Sequence, residues 1–273
     1  MTIMKLLCPQ GRYLSLVSFC LLSVRPLLSA QTGKVLIADA CYNEVHQREQ
    51  NALWASQVKR RTAGHVYLEE EIETIDGPIH RLISVDGHEP SPSERKQDDA
   101  QLHDLAQSPK ARLALKKDRD ADERKVDDLL RVIPEAFLFD DQGNQGGLER
   151  VAFRPNPAYA PKTYEERAVH AMSGIILVDP KKKRLAQFSA TLIQKVDFGY
   201  GVVGSLNQGG TINVTRLQVS PGIWKTSSSR IDIHGRFAFF KTISKQQDEV
   251  HNNFKSVASD TSIAQALQQL DGK

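Results

Sequence analysis

The residues of this 273-residue chain that could do chemistry are few and scattered. Histidines 46, 65, 80, 88, 103, 170, 234 and 251 form no HExxH and share no metal-ligand spacing. No GxSxG elbow occurs, and Cys41 has no base placed near it in sequence. Gly199-Tyr-Gly201-Val-Val-Gly204 spells the dinucleotide fingerprint. That motif works only when a helix follows and its N-terminus meets a pyrophosphate. Here Ser205 to Gly210 is turn-rich and Thr211 opens a strand, so a hairpin connection is the expected role. Glu69, Glu70, Glu71 and Glu73 could attract a cation but read as a solvated strand face. Lys181-Lys182-Lys183-Arg184 could touch anionic lipid but reads as a solvated turn. We therefore expect no catalytic residue, no metal and no cofactor.

Charge and the first thirty residues set the setting. The chain carries 36 basic and 33 acidic residues, a net +3. Lys5, Arg12 and Arg25 lie in residues 1–30, which hold no acid. Removing them leaves 33 against 33, so bulk charge gives no reason to expect nucleic acid. Lys5 and Arg12 precede an apolar run from Tyr13 to Val24, and Leu28-Ser29-Ala30 offers a small residue before Gln31. This is the pattern of a signal peptide cleaved near Ala30, and the run is short of the ~20 residues that span a bilayer. No later segment is apolar enough to span. The expected mature protein is periplasmic or secreted, with peripheral envelope association as its one membrane link. Cys41 is then its only thiol, read as buried and inert.

The elements that must position any site read as follows. Val35, Ala38, Tyr42, Val45, Glu49, Ala52 and Ala55 recur at three- and four-residue steps, predicting a helix over 34–61. Residues 65–86 read as a hairpin about Asp76-Gly77. Ser91, Pro92 and Glu94 are helix-start signals and Ser108-Pro109 repeats them, predicting two helices that end before Pro134. From Glu135 the chain reads mostly as strands, with a short helix opened by Thr163. Ile231, Ile233, Gly235, Phe237 and Phe239 share one phase of a strand, and Phe188, Ala190 and Leu192 share one phase of another. Residues 255–273 read as a polar tail with a short helix. Strands joined by short turns predict an α+β fold with one antiparallel sheet and helices packed on one face.

Across 135–254 the chain resembles a family of uncharacterised exported bacterial proteins. The resemblance rests on Glu135-Ala136-Phe137, Phe153-Arg154-Pro155-Asn156-Pro157, Met172-Ser173-Gly174 with Ile176 and Asp179, Gly222-Ile223-Trp224, and Asn253-Phe254. Upstream, Arg81-Leu82-Ile83, Asp86-Gly87 and Ser93-Glu94 follow the same pattern. These proteins are similar to the LolA-like outer-membrane lipoprotein-sorting carriers and to the RseB-like regulators. The resemblance implies a single domain over 31–254, a curved open half-barrel, and a cavity for a lipid, an acyl chain or a lipidated peptide. Phe188, Ala190, Leu192, Ile231, Ile233, Phe237 and Phe239 are the expected lining, with Gly235 leaving room. The alternative is an envelope adaptor whose sheet interior is filled core.

Overall fold

The computed structural model describes residues 25–47, 52–62, 64–200, 202–237 and 241–271. Five helices and twelve strands follow the order α1 (Arg25–Gln47), β1 (Leu53–Thr62), β2 (His65–Ile72), β3 (Ile79–Val85), α2 (Pro92–Gln107), α3 (Pro109–Ala136), β4 (Phe137–Gln145) and β5 (Leu148–Pro155). There follow α4 (Tyr164–His170), β6 (Met172–Asp179), β7 (Arg184–Leu192), β8 (Val196–Phe198), β9 (Gly204–Leu206), β10 (Thr211–Ser220), β11 (Ile223–Phe237), β12 (Lys241–Val257) and α5 (Ile263–Asp271). All strands join one open antiparallel sheet ordered β3-β2-β1-β12-β11-β10-β7-β6-β5-β4, with β9 docked on β11 and β8 on β9.

The start signals work as local chemistry requires. Ser91 caps α2, its side chain accepting from the Glu94 amide while Glu94 reaches back to the Ser91 amide. Ser108 caps α3 and Thr163 caps α4. The expected stop before Pro134 is corrected. Proline removes only its own amide from the last turn, so α3 runs on to Ala136. The helix expected over 34–61 is also corrected, because residues 53–61 belong to β1. Trp54, Ser56, Val58 and Arg60 alternate, and pairing with β2 and β12 on both sides overrides the helical spacing. Within α1 the buried stripe is Ile37, Ala40, Cys41 and Glu44, whereas Val35 and Tyr42 face solvent.

Cross-strand pairs fix which side each residue occupies. Ala190, Ile212 and Ile231 are direct neighbours on one face, and through Ser229, Glu249 and Arg60 the same face continues to Ser56 and Glu71. Ala55, Ile72 and Ile79 lie on the reverse. On the first face α1 covers Phe137, Phe139, Val151, Phe153, Met172, Ile176 and Leu192. On the reverse, Leu102 of α2 and Ile263, Ala266 and Leu270 of α5 cover Ala55, Ile72 and Ile79. Helices therefore pack both faces, which corrects the expectation of one. Each sheet half exposes its own apolar set on a different side, and each set needs its own cover. The helix α3 serves both, Leu115 packing with the second cluster and Leu130, Ile133 and Ala136 with the first. The C-terminal segment, expected as a polar tail, supplies the far end of β12 and the buried side of α5.

A buried charge cluster docks α1. Glu44 accepts from Arg184 Nε at 2.9 Å and Nη2 at 2.7 Å, and from the Leu185 amide at 3.0 Å. Arg216 closes on the same carboxylate and donates to the Trp224 carbonyl. Burial pulls the Glu44 pKa up, but hydrogen bonds and charge from Arg184 and Arg216 outweigh it and hold the carboxyl below its usual range.

Because the folded pKa is depressed, the stabilisation is present above the unfolded value of about 4.3 and is lost as pH falls through the folded value. Glu44→Gln leaves two arginines facing each other without a counter-charge and is expected to cost about 3–5 kcal/mol at pH 7. Urea unfolding at pH 7 and at pH 3 checks this, and the difference between parent and variant should shrink at the lower pH.

Candidate functional site

The β7 residues of the expected lining lie inside a filled core. Ala190 and Leu192 are buried, packed in one cluster with Ile37, Ala40 and Cys41 of α1. Phe188 stacks on Phe153 with centroids 5.4 Å apart and is partly buried against that cluster. From β11, Ile233 packs on its border. Ile231 lines a separate shallow recess of about 280 Å³ with Arg61, Arg230 and Asp248. The Phe237 backbone pairs with Gly204 and Lys241; its side chain, and Phe239 as a whole, lie outside the described residues. The room expected at Gly235 belongs to the protein itself. A Cβ there would stand 2.1 Å from the Ser205 carbonyl oxygen, so Gly235 admits β9 rather than a ligand.

The larger opening lies elsewhere. A cleft of about 620 Å³ is bounded by the sheet ends at Leu53, Glu71, Glu73, Ile223 and Lys225, by the turn Thr74–Pro78, by Ser259, and by Arg119 and Glu123 of α3. One wall is held by hydrogen bonds. Arg119 donates to the Ile75 carbonyl at 2.8 Å. Leu115 lies 3.0 Å from where a Gly77 side chain would begin, and Gly77 has φ +132°. Glycine at 77 therefore satisfies both the turn and the approach of α3.

Three glutamates that read as a solvated strand face share the sheet face of Ser56 and Arg60 and are largely buried, a further correction to the sequence expectation. Glu69 pairs with Arg60, Nε to Oε2 at 3.2 Å. Glu73 receives Lys225 Nζ at 2.7 Å on both oxygens and the Trp54 amide at 3.0 Å. Glu71 has no such cation. Its nearest partners are Ser56 Oγ at 3.4 Å, His251 Nδ1 at 3.9 Å and the exposed His80 at 3.7 Å. Only 14% of its side chain remains exposed. Desolvation, reinforced by Glu73 and Glu249, raises the Glu71 pKa above its usual value despite His251 and Lys225.

Ser56, His251 and Glu71 have the residue types of a hydrolytic relay but not its geometry. Serine and carboxylate both meet Nδ1 of His251, whereas a relay needs one ring nitrogen for each. The trio sits at a β-bulge, where the β1–β12 register shifts between Ala55 and Gln57 and Asn253 takes φ +57°. Bulges of this kind re-aim side chains beside sites. The buried Trp54 indole N–H, on the same face, has no partner among the described residues. Among the described residues no group of three or more His, Cys, Asp or Glu is placed to hold a metal.

The sequence contained a sign of this site: Glu69, Glu71 and Glu73 share one strand phase and Ile72 the other. What it could not show is that Glu73 meets Lys225, 152 residues further along the chain, and Glu71 meets His251, about 180 residues further.

A carboxyl whose folded pKa is raised destabilises the fold once pH passes its unfolded pKa. Glu71→Gln keeps the acceptor for Ser56 and removes the charge. It is expected to raise the melting temperature at pH 7 and to leave it unchanged below about pH 4, where both forms are neutral. Calorimetric melting at the two pH values checks this. No protein-family model, curated protein or solved structure matches the chain.

Proposed function

We propose that this chain is a non-enzymatic protein of the cell envelope, exported through a signal peptide cleaved near Ala30, that binds an amphipathic ligand. The cleft between α3 and the sheet is the binding site. The observation that carries this is its lining, in which Leu53, Ile75, Pro78 and Ile223 stand beside Glu71, Glu73, Arg119 and Lys225. Four apolar side chains standing beside a largely polar, charged lining suit a molecule with a short chain and a charged head. Among the described residues no helix is long and apolar enough to cross a membrane, so the proposed envelope association is peripheral. The LolA-like resemblance of 135–254 points to the same class of ligand, a lipid, an acyl chain or a lipidated peptide. A second reading, an envelope adaptor without a ligand, is favoured by the filled core around Phe188, Ala190 and Leu192.

Mass spectrometry of organic extracts from protein purified out of its native envelope separates the two. A co-purifying amphiphile, lost in the surface variant Ile75→Asp, is expected for a carrier. Extracts without any amphiphile leave the adaptor. The same preparation should begin near Gln31, and a full-length chain recovered from the cytosol would overturn export.

A further inference from the structure

We infer that the head of the ligand is a primary amine, received by Glu71 in the cleft between α3 and the sheet. This rests on the cleft being the binding site.

Charge bookkeeping in the cleft supports it. Five charged side chains line the space, three carboxylates (Glu71, Glu73, Glu123) and two cations (Arg119, Lys225). Both cations already hold acceptors. Lys225 is bound by Glu73. Arg119 is bound by Asp120 at 3.0 Å and by the Ile75 carbonyl. An anionic head would face three carboxylates and find both cations occupied. A cationic head would find Glu71, whose protein partners are a serine hydroxyl and two imidazoles rather than a lysine or arginine.

A buried carboxylate without a full counter-charge is destabilising alone and strongly attractive to a cation that can donate hydrogen bonds. Ammonium, with three donors and no acceptor, matches such a partner. Glu123 lines the same space from α3. Leu53, Ile75, Pro78 and Ile223 then contact the apolar part of the molecule, so the ligand class is an alkyl-chain amine. The amine could belong to a simple alkylammonium or to the ethanolamine head of a phospholipid.

Titration calorimetry at pH 7 tests this with three probes, n-decylammonium, lysophosphatidylethanolamine and n-decyl sulfate, each below its micellar concentration. The amine probes should bind and the sulfate should not. Tighter binding of the lysolipid assigns the amine to a phospholipid head, and tighter binding of decylammonium assigns it to a simple amine. Glu71→Gln should weaken decylammonium by about tenfold or more, the loss expected of a charge-assisted hydrogen bond. Lys225→Gln, which frees Glu73, should tighten it several-fold, a gain that no folding defect produces. If decyl sulfate binds as well as the amines, or if both variants match the parent, the amine assignment fails while the cleft stands. If no probe binds, and Ile75→Asp changes nothing, both fail.

Discussion

The pairing of β12 with two neighbours along two different stretches holds the molecule together. Its first ten residues, Lys241 to Val250, run against β11, and Asp248 to Val257 run against β1. Only a strand of 17 residues can do both. Without that overlap the hairpin β2–β3 with β1 would be a separate three-stranded piece, carrying a helix pair on one side and uncovered charge on the other. With it, Ser56 and Glu71 come to stand beside His251, and Glu73 comes within reach of Lys225. The cleft is thus a product of long-range strand pairing, with its walls far apart in sequence.

The two halves of the shared sheet face solve burial differently. Beneath α1 it is closed and apolar, and the buried ionic cluster there, Glu44 with Arg184 and Arg216, is fully paired. Beyond β11 the same face carries Arg60, Glu69, Glu71 and Glu249 beside the buried Trp54 and Val58. Paired charges fix the position of a helix at little net gain, whereas an under-compensated charge costs stability. A protein that keeps Glu71 in place of a neutral residue retains a group that folding alone does not favour.

Much of the fold was legible because its signals are local. Ser91-Pro92-Ser93-Glu94 carries a complete capping box, and Asp76-Gly77 and Asp86-Gly87 turn as expected. The errors share a cause in tertiary partners. Residues 53–61 contain no Gly or Pro, and Ala55 continues the three-residue step from Ala52, so nothing local separates them from α1. The partners that make them a strand lie at 65–72 and 248–257. The stripe of α1 was misplaced because Glu44 looks like a surface residue until Arg184 and Arg216 are seen around it. The expected ligand lining was a correct reading of strand phase at Phe188, Ala190 and Leu192, but phase cannot say whether a helix fills the space above it. The site itself was hidden for the complementary reason, since glutamates on alternate strand positions look solvated until their cover is known.

Cys41 gives this architecture a built-in reporter. It is buried between α1 and the sheet, and desolvation, with the nearby Glu44 charge, pushes its pKa up to about 12. Thiolate is the reactive species, so at neutral pH the folded protein presents on the order of one reactive sulfur in 10⁵ molecules. In a chain without residues 1–30 no other cysteine competes. An alkylating reagent would then react only as fast as α1 lifts from the sheet, so the modification rate measures the opening of that one helix. The same shielding would keep this thiol from cross-linking one copy to another even in an oxidising compartment.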